Sequence, residues 1–286
     1  VEVLIRNRDH TNAITQLRTV LADSPTDVQS LYLLGSLLFE ERQLKEARDQ
    51  FEKVLQLRPD FEPGYQDLAA ALISLNEPEE ALETLRLARK RFPKRFIWEY
   101  YSALAHSRMK DHAGALKFLT AAEIIARVSE TNRLTPTLYF QLGTACERTQ
   151  RFKEAEEHFR RALVLDPDFA EALNYLGYMW AERGENLPEA RRMLEKAVQL
   201  EPKNAAFLDS LGWVLHKQEE HEAALKQVLE AIRLTEDPDA TLYDHLGDIY
   251  AALKKTEQAR EAWRKAYALE PSEPIQRKLQ GPTAKP

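Results

Sequence analysis

One small residue recurs along this chain at a nearly fixed interval. Ala13, Ala47, Ala81, Ala115, Ala155, Ala190, Ala224 and Ala259 are separated by steps of 34, 34, 34, 40, 35, 34 and 35 residues. A period of this length marks a repeat architecture, in which each short unit buries its apolar face against its neighbours rather than in one shared core. Four residues past each alanine stands a bulky apolar group: Leu17, Phe51, Leu85, Leu119, Phe159, Leu194, Val228 and Trp263. Three further on stands a smaller one, from Val20 and Val54 to Ala231 and Ala266. Spacings of four and three put all three positions on one face of a helix. Pro25, Pro59, Pro93, Pro167, Pro202 and Pro271 then end the helix, since proline lacks a backbone donor and clashes with the preceding turn.

The first half of each unit has its own pattern. Leu34-Gly35, Leu68-Ala69, Leu142-Gly143, Leu176-Gly177, Leu211-Gly212 and Leu246-Gly247 set a large residue beside a tiny one, with apolar groups three residues before and after. Glycine inside a helix costs roughly 1 kcal/mol relative to alanine. Tolerating that cost implies a neighbouring helix approaching where a side chain would stand. Each unit therefore reads as two antiparallel helices, the first notched to receive the second. Composition agrees: only 9 of 286 residues are glycine, too few for phosphate-cradling loops or hairpin-rich sheets, and strong helix formers dominate.

The order aromatic-x-x-Leu-Gly-x-x-Tyr, then Ala-x-x-x-Phe, then Pro resembles the tetratricopeptide repeat (TPR), most clearly from Tyr139 to Pro167 and from Tyr243 to Pro271. The resemblance implies an all-α, right-handed α-solenoid (superhelix) of about seven full helix hairpins, with a partial N-terminal unit and a C-terminal capping helix. Its segments are 1–27, a partial repeat; 28–135, repeats 1–3; 136–273, repeats 4–7; and 274–286, cap and loose tail, with Gly281–Pro286 the loose part. The third repeat departs from the pattern. Ser102 stands where glycine is expected, the closing proline is missing, and about six extra residues fall within Ile124–Thr135, as a lengthened helix or a kink. Val1–Arg6 reads as the tail of a first helix, as though a longer protein had been cut within a repeat.

No residue pattern points to catalysis, a metal or a cofactor. The histidines lack the i, i+4 spacing of a helical metal site, and His216 and His221 read as solvated turn residues. Cys146, the single cysteine, falls on a core-facing position and reads as a small apolar group. A net charge of −6 argues against nucleic-acid binding, and no apolar run approaches the ~18 residues of a membrane span.

In TPR proteins the first helices form a concave wall. Transferred to this chain, the resemblance nominates Tyr32, Phe39, Asp67, Tyr100, Phe140, Asn174, Tyr175, Tyr178, Asp209, Trp213, Asp244 and Asp248 as a partner-binding groove. The aromatic members suit anchors for a polypeptide. The excess of acids over bases favours a partner with apolar anchors and basic or amide groups. It disfavours the TPR type that clamps a terminal carboxylate, since Ser36, Ala70, Thr144, Tyr178, Trp213 and Asp248 stand where that type carries asparagine. The expected role is a non-enzymatic scaffold that binds proteins or peptides. Two rivals stand beside it: a self-assembling homo-oligomer pairing through exposed Val1, Val3, Leu4 and Ile5, and the regulatory domain of a larger enzyme. Ala172–Pro271 further resembles bacterial TPR proteins, some of them outer-membrane lipoproteins, which would imply a periplasmic setting; otherwise the setting is cytoplasmic.

Overall fold

The computed structural model describes residues 1–280 and contains seventeen α-helices, one 3-10 turn and no strand among them. They alternate as first and second members of hairpins: α1 (Glu2–Arg6) with α2 (His10–Asp23), α3 (Val28–Glu40) with α4 (Leu44–Leu57), α5 (Glu62–Ser74) with α6 (Pro78–Arg91), α7 (Phe96–Arg108) with α8 (His112–Ser129). After the 3-10 turn Thr131–Arg133 come α9 (Pro136–Arg148) with α10 (Phe152–Leu165), α11 (Ala170–Arg183) with α12 (Leu187–Leu200), α13 (Ala205–Lys217) with α14 (His221–Leu234), α15 (Ala240–Ala252) with α16 (Thr256–Leu269), and the lone α17 (Glu273–Gln280). The all-α solenoid class expected from the repeat is the observed one. Two compact units divide the chain, Val1–Ala155 and the part from Glu156 onward. Gly281–Pro286, expected to be loose, lie outside the described residues.

The recurring alanines are buried, as are the bulky groups four residues on, except Trp263, which stays half-buried. The notch is real and has named occupants. A Cβ on Gly35 would stand 2.7 Å from the Phe51 ring, one on Gly177 2.8 Å from Leu194, and one on Gly212 2.5 Å from Val228; on Gly247 it would strike Trp263. These are the same bulky residues that the periodicity set apart, so the two halves of the pattern meet as lock and key.

Each hairpin turn is closed in the same way. The residue seven past the notch adopts a left-handed backbone: Arg8, Arg42, Asn76, Lys110, Gln150, Gly184, Glu219 and Lys254, at φ between +57° and +67°. Two hydrogen bonds accompany it each time, as in Arg42 N–H to Phe39 O at 3.1 Å and Gln43 N–H to Leu38 O at 2.8 Å. This is the Schellman closure, which satisfies carbonyls that a helix end leaves unpaired. Only one of the eight positions uses glycine, so composition does not announce the motif.

The third repeat corrects one expectation and agrees with another, the lengthened helix. Lys110 lies seven residues past Ala103, so Ala103 is its notch residue, not Ser102. Ser102 is buried one residue away, where its Oγ donates to Trp98 O at 2.7 Å and accepts from Arg89 Nη2 at 2.7 Å. The extra residues extend α8 to 18 residues against 14 in α4 and α6, then form the 3-10 turn. They fold back on α7: the Glu130 carboxylate accepts the Phe96 N–H at 3.0 Å, capping that helix, and the Arg133 guanidinium lies 5.8 Å from the Phe96 ring centre.

At the chain start only Val3 is strongly exposed, at 68%; Val1, Leu4 and Ile5 pack on the core formed by Ile14, Leu17, Leu34 and Leu38. The four-residue apolar patch expected there is thus reduced to one side chain.

Candidate binding face

Within each unit successive first helices touch directly, α3 with α5 and α5 with α7, then α11 with α13 and α13 with α15. Where they touch, one rule of register recurs. The residue three before one notch bonds the residue two before the next. Tyr32 Oη donates to Asp67 Oδ2 at 2.7 Å. Gln141 hydrogen-bonds the Tyr100 hydroxyl. His245 Nδ1 lies 3.0 Å from both Asp209 oxygens. Outside that rule, since the lone α17 has no notch, Lys278 Nζ donates to both Asp244 oxygens at 2.8 Å, and also to Asp248 Oδ2 at 2.8 Å. These rungs stitch neighbouring repeats together on the face nominated for a partner.

In Val1–Ala155 the face is aromatic and nearly neutral. Tyr32 sits edge-on to Phe61 with ring centres 4.9 Å apart and 6.0 Å from Phe51. Burial and the Asp67 carboxylate push its phenol upward, while burial raises Asp67 despite the Tyr32 bond. Tyr100 stacks on Phe96 at 5.3 Å and meets Tyr101 edge-on at 6.1 Å; burial raises both phenols. Phe39, Tyr100 and Phe140 remain half-buried, each presenting part of its ring.

From Glu156 onward the face is a column of stacked rings flanked by charge. Trp213 stacks on His245 with centres 4.1 Å apart and planes 15° apart, and on His216 at 5.1 Å. His216 in turn meets His221 at 5.0 Å, Tyr178 lies 6.1 Å from His245, and Lys217 Nζ sits 4.4 Å from the Trp213 ring centre. Burial, with His221 and Lys217 close by, pushes His216 down to about 4. For His245 burial acts downward too, but the Asp209 bond and charge outweigh it and hold the imidazole above its ordinary value. Burial, reinforced by Glu182 and Asp209, drives the Tyr178 phenol well above its usual range.

Several nominated residues are therefore not free. Trp213 is only 7% exposed and Asn174 only 8%; the indole packs inside the ring stack, and Trp213 Nε1 and Asn174 Oδ1 lack a hydrogen-bond partner. His216 and His221, expected to be solvated, are half-buried, the first stacked on Trp213 and the second tilted against the first. The acids are compensated inside the chain: Asp209 by His245, Asp244 and Asp248 by Lys278, Glu99 by Arg89 at 2.9 Å, Glu147 by Arg148 at 3.5 Å. Tyr175 and Tyr178 stay half-buried, the former 6.0 Å from Phe159. The sequence reading placed His245 on this wall without its partner and missed Lys278 altogether. Their signal was the repeat register itself, since each falls 34 to 36 residues from the acid it pairs with.

The rest of the fold is chemically quiet. Burial pushes the Cys146 thiol up to about 11, which keeps it protonated and inert. Among the described residues no group of three or more His, Cys, Asp or Glu side chains could hold a metal ion, and no helix is long and apolar enough to cross a membrane.

Comparison with known proteins places this arrangement. The chain is 27% identical over 178 residues to human protein O-mannosyl-transferase TMTC3; the match takes in 50% of this chain and 19% of that protein. Among solved structures, the APC/C hetero-tetramer Cut9–Hcn1 aligns with a TM-score of 0.69 at 18% identity, over 94% of this chain and 52% of that one. A tetratricopeptide repeat protein from Parabacteroides merdae aligns at 0.67 and 17% identity, over 88% and 97%. YrrB, described as a TPR protein with an unusual peptide-binding site, aligns at 0.55 and 22%, over 72% and 97%. The chain thus spans about half of the Cut9–Hcn1 chain and a fifth of TMTC3. Tetratricopeptide repeat profiles match residues 1–60, 38–106, 96–168, 181–241 and 240–273. With the notch, the bulky partner and the turn closure repeated in phase, the chain belongs to the tetratricopeptide repeat family.

Proposed function

We propose that this protein is a non-enzymatic scaffold that holds a segment of a partner polypeptide against its first-helix faces. The observation that carries the reading is the set of large aromatic rings half-exposed there: Phe39, Tyr100 and Phe140 in one unit, Tyr175 and Tyr178 in the other. Rings of this kind bring much contact area with few rotatable bonds, which is why they anchor interfaces. YrrB, by its description, carries a peptide-binding site, and Cut9 sits in an assembly with Hcn1. The transferase activity in the name of TMTC3 belongs to a protein of which this chain covers only 19%, and it is not carried over.

The partner's chemistry follows from the pairing pattern. With most acids already matched, bulk charge contributes little, and recognition rests on apolar anchors with amide groups meeting the remaining polar atoms. Affinity capture with mass spectrometry supplies the partner. Tyr100→Ala and Tyr178→Ala, each measured by calorimetry against it, supply the test. Loss of an anchor weakens binding by about tenfold or more, corresponding to ~1.4 kcal/mol or above. Unchanged affinity in both variants, with folding intact, defeats the assignment. Trp213→Ala is unsuited to this test, because it removes a packing residue.

A further inference from the structure

Three successive first helices meet at one imidazole. His245 on α15 is 3% exposed. Its Nδ1 lies 3.0 Å from both carboxylate oxygens of Asp209 on α13, its ring is stacked at 4.1 Å on Trp213 of α13, and the Tyr178 ring of α11 stands 6.1 Å away. A buried histidine in this setting has two distinct states. Protonated, it is a cation held between a carboxylate and an indole face, and both contacts favour the charge. Neutral, it leaves the largely covered Asp209 carboxylate without a counter-charge and loses the cation–π contribution.

We propose that His245 is a proton-operated latch: its protonation ties α11, α13 and α15 into one stiff block, and its deprotonation loosens that block. The surrounding charges set how it works. From α11 come Tyr178 and Glu182; from α13 come Asp209, His216 and Lys217, the last with its ammonium 4.4 Å from the Trp213 ring centre. On α15 itself stand Asp244 and Asp248, both taken by Lys278 of α17. The second helices that pack on α15 add His221 of α14, tilted against His216, and α16, whose Trp263 donates to Asp248 at 3.1 Å and whose Lys265 lies 5.6 Å from the Tyr243 ring centre. Acids outnumber cations around the imidazole, in keeping with its elevated proton affinity.

The sign is fixed by linkage. A histidine whose proton is held more tightly in the folded state adds stability that is fully present below about 6.5, its ordinary value, and is lost as pH rises through the folded value. His216 works the other way: held neutral, it withdraws stability only as pH falls from about 6.5 toward about 4. The two windows do not overlap, so of these two histidines only His245 contributes to loosening as pH rises above about 6.5.

The test is a proton NMR titration of the intact chain with labelled histidine, His245 being identified by the resonance missing in His245→Gln. The expected midpoint lies above 6.5 in the wild type and drops by at least about one pH unit in Asp209→Asn. A second measurement needs no variant. Amide exchange in α11, α13 and α15, corrected for the intrinsic pH dependence, loses up to about tenfold protection per pH unit between about 6.5 and that midpoint and levels off above it, while α3 and α5 do not. A midpoint at or below 6.5, a midpoint indifferent to Asp209→Asn, or equal loss of protection in α3 and α5 would each overturn the latch.

Discussion

The two units use one register and two chemistries. In Val1–Ala155 the rungs between first helices are made by phenols, Tyr32 to Asp67 and Tyr100 to Gln141. From Glu156 onward they are made by ion pairs, His245 with Asp209 and Lys278 with Asp244 and Asp248. For the rungs between hairpins, Tyr32 to Asp67, Tyr100 to Gln141 and Asp209 to His245, the backbone positions are equivalent, so that difference lives in side chains. A repeat scaffold can therefore set the pH and salt response of one stretch without altering its helix packing. The same contrast appears one position past the notch, where the first full repeat has half-buried Ser36 and the sixth has buried Trp213.

That last pair gives the largest expected effect. Trp213→Ala removes an indole clasped by two imidazoles and costs about 3–5 kcal/mol, the usual range for a buried tryptophan. Ser36→Ala at the equivalent position removes a half-buried hydroxyl bonded within its own helix, to Tyr32 O 3.0 Å away and to the Tyr32 phenol, and shifts stability by under ~0.5 kcal/mol. Urea unfolding followed by circular dichroism measures both. Equal losses would show that the face is one uniform layer, and the comparison between units would collapse.

The rungs come next. Lys278→Met leaves Asp244 and Asp248 facing each other one helical turn apart with no cation between them. A loss on the order of 2 kcal/mol is expected, between the values for exposed and fully buried pairs. Tyr32→Phe removes a neutral donor and costs about 1 kcal/mol. Asp67, whose carboxyl burial already holds above its ordinary value, then climbs further, so this variant gains stability as pH falls through that raised value. Salt separates the two: raising ionic strength weakens the wild-type Lys278 rung and leaves the Tyr32 rung almost unchanged. Identical salt dependence would remove the distinction.

Sequence reading reached the architecture because volume patterns are local. Ala47 with Phe51, or Ala224 with Val228, are four residues apart on one helix, and their notch partners Gly35 and Gly212 lie within the same hairpin. The face was less legible, because what covers a residue there comes from the next repeat. Trp213 looks like a free anchor until His245, 32 residues on, is known to stack on it. Asp244 looks like unspent charge until α17 delivers Lys278. Ala103 was displaced by one position for a related reason: Ser102 is small as well, and only the left-handed turn at Lys110 fixes which of the two is the notch.

Those left-handed turns supply the smallest effect, and one that cuts across both units. Gly184 is the one glycine among the eight, at φ +67°, and a Cβ there would meet nothing within 4 Å. Gly184→Ala therefore isolates the backbone cost of a left-handed residue, about 1 kcal/mol, with no steric contribution. The reverse substitutions, Lys110→Gly in one unit and Lys254→Gly in the other, relieve the same strain. Part of that gain is returned, because glycine makes the unfolded chain more flexible. A net change of a few tenths of a kcal/mol toward greater stability is expected at each site. Because the closure is made by backbone hydrogen bonds common to every hairpin, such as Lys110 N–H to Ser107 O at 3.0 Å and Lys254 N–H to Ala251 O at 2.9 Å, the two units should respond alike. Unequal responses in urea unfolding would mean that the side-chain differences between the faces reach the turns, and that the backbone is not the shared frame on which the two chemistries were built.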